Sequence, residues 1–210
     1  MTTPSRKNLI LGLLAAVASA AALAQTAPVQ TAPSSTDGAL QLARIDPAGK
    51  LMKPADLQTW VFLGASLGMG YNPGSFNAAH PGQFQVVLME PNAFRFFREN
   101  KRYAPGSMFL LSFYDSDQRR SINQKGFVQA DLTNYEIHLI APRSGDDRHT
   151  FYMFGANDTQ GSPIPAGNAC VRCHVDHGAF DGTFAQFYPT IRPLIPAEAL
   201  KRASKLDDIR

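Results

Sequence analysis

The chain has 210 residues, with 20 Lys and Arg against 17 Asp and Glu and a formal net charge of +3. Basic residues are scattered rather than striped along a face, which excludes a nucleic-acid surface. Two cysteines, five residues' worth of one short motif, are too few for a disulfide scaffold or a zinc cluster.

The N-terminus decides the compartment. Arg6 and Lys7 precede an apolar run from Leu9 to Ala22, which ends in Ala22-Leu23-Ala24. This is the pattern of a cleaved signal peptide over residues 1–24, with export to the periplasm, and the run is short for a stable membrane span. Residues 25–38 are rich in Ala, Pro, Thr, Ser and Gln without apolar periodicity, and read as a flexible tether. Residues 39–210 are then the size of one domain with its own core.

Fifteen prolines and sixteen glycines argue against a helical bundle. Strands are expected at Thr59–Leu67, Gln83–Met89, Ser107–Tyr114, Gly126–Asp131, Glu136–Ala141 and His149–Gly155, from β-branched and aromatic runs bounded by turn residues. Pro91 to Asn100, with aromatics at 94 and 97, suits an amphipathic helix. Further helices are expected from Asn168 to His177 and from about Pro196. The class is α+β: an antiparallel, sheet-rich domain of roughly five strands with a few helices, with the segment Cys170–His174 on a C-terminal helix.

The chemistry lies in Cys170-Val171-Arg172-Cys173-His174. Each thiol of a CxxCH can add across one vinyl group of a haem, and the adjacent imidazole then meets the iron. One haem c is therefore expected, bonded to Cys170 and Cys173 and ligated by His174. No methionine follows the motif. A sixth ligand would have to come from upstream, from Met52, Met69, Met89, Met108 or Met153, or from His80, His138 or His149. His177 projects from nearly the same helical face as His174 and does not reach across the ring. Five-coordinate iron with an open position is the favoured arrangement, and it implies binding of a small gaseous ligand or redox chemistry at the iron. A periplasmic electron carrier with an upstream Met ligand is the alternative.

The motifs Trp60-Val61-Phe62-Leu63-Gly64, Val86-Val87-Leu88-Met89-Glu90-Pro91, Pro105-Gly106-Ser107-Met108-Phe109, Cys170–His174 and Asp181-Gly182-Thr183-Phe184-Ala185-Gln186-Phe187-Tyr188-Pro189 resemble those of cytochrome P-460 and its relative cytochrome c′-beta. The resemblance runs from about Leu51 to Leu194. It implies a sheet-rich unit, often a homodimer, with five-coordinate His-ligated haem. Members of the P-460 type carry a lysine joined to the haem and oxidise hydroxylamine; that lysine follows a Gly-Thr-x-x-x element. Here the element reads Gly106-Ser107-Met108-Phe109-Leu110 and the next residue is Leu111, which implies the branch without the cross-link and with affinity for nitric oxide or a similar nitrogen oxide. A cross-link through Lys101 or Lys125 would need another geometry. The resemblance further places Gln85 where relatives carry a basic distal side chain, and offers Phe62, Phe84, Phe94 and Phe109 as an apolar cap. Asp181 falls near a carboxylate used for proton transfer, although the favoured role for Asp181 or Thr183 is an N-cap for the segment carrying Phe184. Arg172 is positioned to pair with a haem propionate or to lie exposed on its helix.

Overall fold

The computed structural model describes residues 38–70, 77–118, 122, 125–143, 145 and 148–201. The expected signal peptide, residues 1–24, and nearly all of the expected tether, 25–38, lie outside the described residues, as does everything after 201. No helix among the described residues is long and apolar enough to cross a membrane.

Among the described residues, seven antiparallel strands form one sheet: β1 (Leu51–Met52), β2 (Val61–Leu67), β3 (Phe84–Met89), β4 (Met108–Asp117), β5 (Val128–Ile140), β6 (His149–Gly155) and β7 (Gln160–Ile164), in the order β1-β7-β6-β5-β4-β3-β2. From β2 to β7 this is a meander in which every strand pairs with its sequence neighbour, and β1 closes onto β7. The class is α+β, as expected; β1 is an additional short strand, and two further differences are instructive.

The stretches 126–131 and 136–141 belong to a single thirteen-residue strand, β5. Asn134 and Thr133 look like turn residues in sequence. Here Thr133 instead donates through its hydroxyl to the Phe113 carbonyl, and the register with β4 shifts twice around Tyr114. Two bulges thus absorb the irregularity without ending the strand. The second difference is β7, Gln160-Gly161-Ser162-Pro163-Ile164, whose Gly and Pro read as a turn. Pro163 is tolerated because β1 pairs only with positions 160 and 161, leaving 163 on a free edge.

Both faces of the sheet are covered. On one face Leu51, Trp60, Met108, Leu110, Tyr135, Ile137, Leu139, Tyr152 and Phe154 form a cluster. On the other, Leu63, Val87, Met89, Phe109 and Ile140 pack against Ala93 and Phe97 of helix α1 (Pro91–Asn100) and against Ala185, Ile191 and Ile195 of the C-terminal segment. Helix α1 starts where expected, with Pro91 in its first turn and the buried Glu90 carboxylate accepting from the Ala93 backbone N–H at 2.6 Å. Beyond Asn100, Tyr103 stacks on Phe97 at 4.8 Å and meets Phe109 and Phe180 edge-on. This aromatic knot ties α1 to the sheet and to the loop after helix α2 (Ala169–His177).

Gly161 is required by its neighbour across β6–β7. A Cβ there would enter the ring of Phe154, which is fully buried and stacked on Tyr135 at 4.6 Å. Gly161→Ala is expected to cost about 1–3 kcal/mol as overpacking. The check is the urea midpoint, which should fall with little change in slope; an unchanged midpoint would show that the Phe154 stack yields freely.

Candidate haem site

Helix α2 spans Ala169–His177 and carries both cysteines and His174. It begins where a side chain can cap it: Asn168 accepts from the Cys170 backbone N–H at 2.9 Å. At its other end Gln186 stitches the chain together, its Oε1 accepting from Ala179 N–H at 3.1 Å and its Nε2 donating to the His177 carbonyl at 3.2 Å. Cys170 and Cys173 are free thiols, the first exposed and the second half-buried. Burial raises the Cys173 thiol pKa, with Cys170 and Asp176 adding to the effect.

Immediately beyond α2, Phe180-Asp181-Gly182-Thr183 forms a two-residue turn. Phe180 and Thr183 exchange backbone hydrogen bonds of 3.3 and 3.0 Å, and the central residues have φ of 45° and 63°. Positive φ at both positions is the type I′ geometry that Asp-Gly favours. No side chain caps the 3-10 turn Ala185–Phe187, so Asp181 and Thr183 do not serve as its N-cap. Asp181 instead pairs with Arg148 at 3.1 Å, and Thr183 Oγ1 donates to the Phe180 carbonyl at 2.7 Å and lies 3.0 Å from Tyr103 Oη.

The turn aims one carbonyl at the imidazole. His174 Nδ1 lies 2.9 Å from the Gly182 oxygen. A carbonyl only accepts, so Nδ1 bears the hydrogen and Nε2 carries the free lone pair. Phe151, Phe184 and His138 enclose the ring, with centroids 4.6, 4.7 and 5.3 Å away. Burial lowers the His174 pKa; the Gly182 hydrogen bond opposes this and His149 reinforces it. His138 is lowered further, by complete burial and then by His174, His149 and Arg148. Its Nε2 shares a hydrogen with His149 Nδ1 across 3.0 Å.

A cavity of about 590 Å³ opens beside His174. That lies within the roughly 300–1,000 Å³ of cofactor pockets. Val87, Phe109, Leu111, Glu136, His138 and Phe151, from one face of β3 to β6, form its sheet wall, and the stretch from Thr183 to Arg192 forms much of the opposite side. Cys173 and His174 reach this lining; Cys170 does not.

The sequence-derived candidates separate accordingly. Gln85, Phe109 and Leu111 line the cavity. Phe62 and Phe84 alternate onto the opposite side of their strands and do not line it, Phe62 being 50% exposed. Phe94 packs on α1 against the core, and Arg172 is exposed on α2, away from the lining. Asp181 also lies outside the lining, behind the Gly182 turn. Gln85 is held at both ends, donating to the Met69 carbonyl at 3.1 Å and accepting from Ser66 Oγ at 3.0 Å. Glu136, Phe151, Phe184 and Arg192 escaped the sequence reading as site residues, and His138 entered it only as a possible sixth ligand. Strand alternation from Leu111 and the register with β5 would have found Glu136; nothing in the sequence pairs Arg192 with the site.

The donor set suits a haem. One imidazole presents a lone pair, its other nitrogen is engaged by a backbone carbonyl, and the surrounding cavity is mainly apolar. Among the described residues no group of three or more His, Cys, Asp or Glu could hold a bare metal ion. A meander sheet backing a histidine-bearing CxxCH helix of this kind defines a β-rich cytochrome domain. Residues 54–185 match the cytochrome P460 family model, well over half of the chain, and the protein belongs to that family of haem-binding cytochromes. No curated protein matches the chain.

Gly182 cannot be replaced without strain, since its φ is +63° and a Cβ would lie 2.6 Å from the His149 ring. Gly182→Ala is expected to destabilise by about 2 kcal/mol or more, from left-handed strain plus overpacking. Thermal unfolding of the purified holoprotein measures this, and an unaltered Tm would mean that the turn relaxes.

Proposed function

We propose that this protein is an exported cytochrome with one c-type haem, bonded to Cys170 and Cys173 and ligated by His174, whose iron keeps an open position for nitric oxide or a similar small nitrogen oxide. The observation that carries the reading is the His174 Nδ1–H bond to the Gly182 carbonyl, which fixes the tautomer with Nε2 free beside an apolar cavity. When bound, the haem supplies an iron centre that can hold a small ligand and exchange electrons with a periplasmic redox partner.

The chain's own residues favour a neutral guest. Val87, Phe109, Leu111 and Phe151 exclude water and disfavour anions. Gln85 is oriented by Ser66 and Met69, and its amide nitrogen retains a second hydrogen that could meet a polar guest. Leu111 lines the cavity, and no lysine does so among the described residues. This supports nitrogen-oxide binding over hydroxylamine oxidation at a lysine-linked haem. Export rests on the residue 1–24 pattern and agrees with a thiol-attached haem.

Met69 gives the electron-carrier reading a specific footing, because it is the upstream methionine that lines the cavity. Optical spectra of the holoprotein and of Met69→Leu separate the two. The expected result is a high-spin spectrum that shifts with nitric oxide and is unchanged in Met69→Leu. A low-spin wild type that becomes high-spin in Met69→Leu would replace this reading with the electron carrier. On a denaturing gel the haem should stay with the chain, and the double variant Cys170→Ser, Cys173→Ser should lose it. Mass spectrometry of the haem peptide completes the test, since a lysine-containing cross-link would restore the hydroxylamine-oxidising alternative.

A further inference from the structure

The turn that faces His174 is clamped from outside by an ion pair. Arg148, immediately before β6, lies 3.1 Å from Asp181 Oδ2, with both side chains about a quarter exposed. The next residue, His149, packs its ring where a Gly182 side chain would be, and its Nε2 lies 3.9 Å from Asp181 Oδ1. Asp181 and Gly182 both have positive φ, the I′ geometry that Asp-Gly favours, which sets the shape of the turn but not where the turn sits against the rest of the fold. The carbonyl that results is the acceptor for His174 Nδ1.

From this geometry we infer that Arg148 and Asp181 are positioning residues for the iron-ligating histidine: their ion pair holds the Phe180–Thr183 turn so that the Gly182 carbonyl stays on His174 Nδ1. The inference rests on the proposed role of His174. Neither residue lines the cavity, so neither touches a guest there. They act through one hydrogen bond. A well-held acceptor on Nδ1–H fixes the ring plane and makes Nε2 a stronger donor, which stabilises the oxidised iron. Loosening the clamp therefore weakens the iron–histidine bond and raises the reduction potential.

Resonance Raman spectroscopy of the ferrous holoprotein reads this bond directly through its iron–histidine stretch, alongside a redox titration. Asp181→Asn and Arg148→Gln should each move the stretch to lower frequency and the potential upward, with the circular dichroism spectrum retained. Asp181→Glu, which keeps the charge, should recover most of both shifts. Folded Asp181→Asn and Arg148→Gln proteins with the wild-type frequency and potential would overturn the inference. If Asp181→Asn does not fold, Arg148→Gln decides alone, because Arg148 lies outside the turn. Failure of the underlying reading looks different: the wild type itself would show no iron–histidine mode, and the inference would fall with it.

Discussion

The site depends on one hydrogen bond, from His174 Nδ1 to the carbonyl of Gly182 at 2.9 Å. An imidazole on an isolated helix is free to rotate and to exchange tautomers, and either freedom would spoil it as a ligand. The bond removes both at once. It exists because Asp181-Gly182 adopts a backbone that few dipeptides adopt without strain. That turn is in turn fastened to three parts of the fold: to β6 through Arg148, to the segment after α1 through Tyr103 and Thr183, and to α2 through Gln186.

The family motif after the CxxCH can now be read one residue at a time. Asp181 and Gly182 make the turn, Thr183 binds Phe180 and Tyr103, Phe184 packs edge-on against His174, and Gln186 joins His177 to Ala179. Tyr188 and Pro189 then press against β2, where a Cβ on Gly64 would come within 3.3 Å of both, and Thr190 N–H donates to the Leu63 carbonyl at 3.2 Å. The glycine of Trp60-Val61-Phe62-Leu63-Gly64 and the proline eight residues past Asp181 are thus two halves of one contact. Through it, the segment that carries the site is laid across the sheet that forms its far wall.

Much of this was legible without coordinates, and the exceptions have physical causes. CxxCH, the capped helix carrying it and the proline-started helix α1 are local patterns, and they appear where expected. Sequence alone breaks β5 between Asp131 and Glu136, because bulges satisfy turn-like residues through tertiary hydrogen bonds that sequence does not display. Strand β7 was missed because Gly161 and Pro163 are explained by Phe154 and by the short reach of β1, both distant in sequence. Asp-Gly at 181–182 was a readable I′ signal, yet only the structure shows what the turn holds. Phe62 and Phe84 fell on the outer side through the parity of their strands relative to Gln85. For Phe84 this follows from its place next to Gln85 on one strand, whereas for Phe62 it depends on the register shift between Phe62 and Gly64, which a single sequence conceals.

The cavity's charge balance sharpens the functional argument. Burial presses several of the lining's titratable groups toward the neutral form: His174 and His138 are lowered, and Glu136 and Cys173 are raised. Arg192, an exposed residue, brings a formal positive charge to the lining only at its edge. An interior arranged in this way offers little compensation to an ionic guest, which would lose its hydration on entry without gaining a partner. It imposes no such penalty on a neutral diatomic. Leu111 pairs across the ladder with Glu136, and both lie on the cavity wall. A cation at position 111 would stand beside that carboxylate and draw it back to its charged form, changing the electrostatics of the wall as well as its reactivity. Under the proposed reading, the leucine therefore does more than omit a cross-link: it leaves the enclosed glutamate without a countercharge and keeps the whole cavity biased toward uncharged ligands.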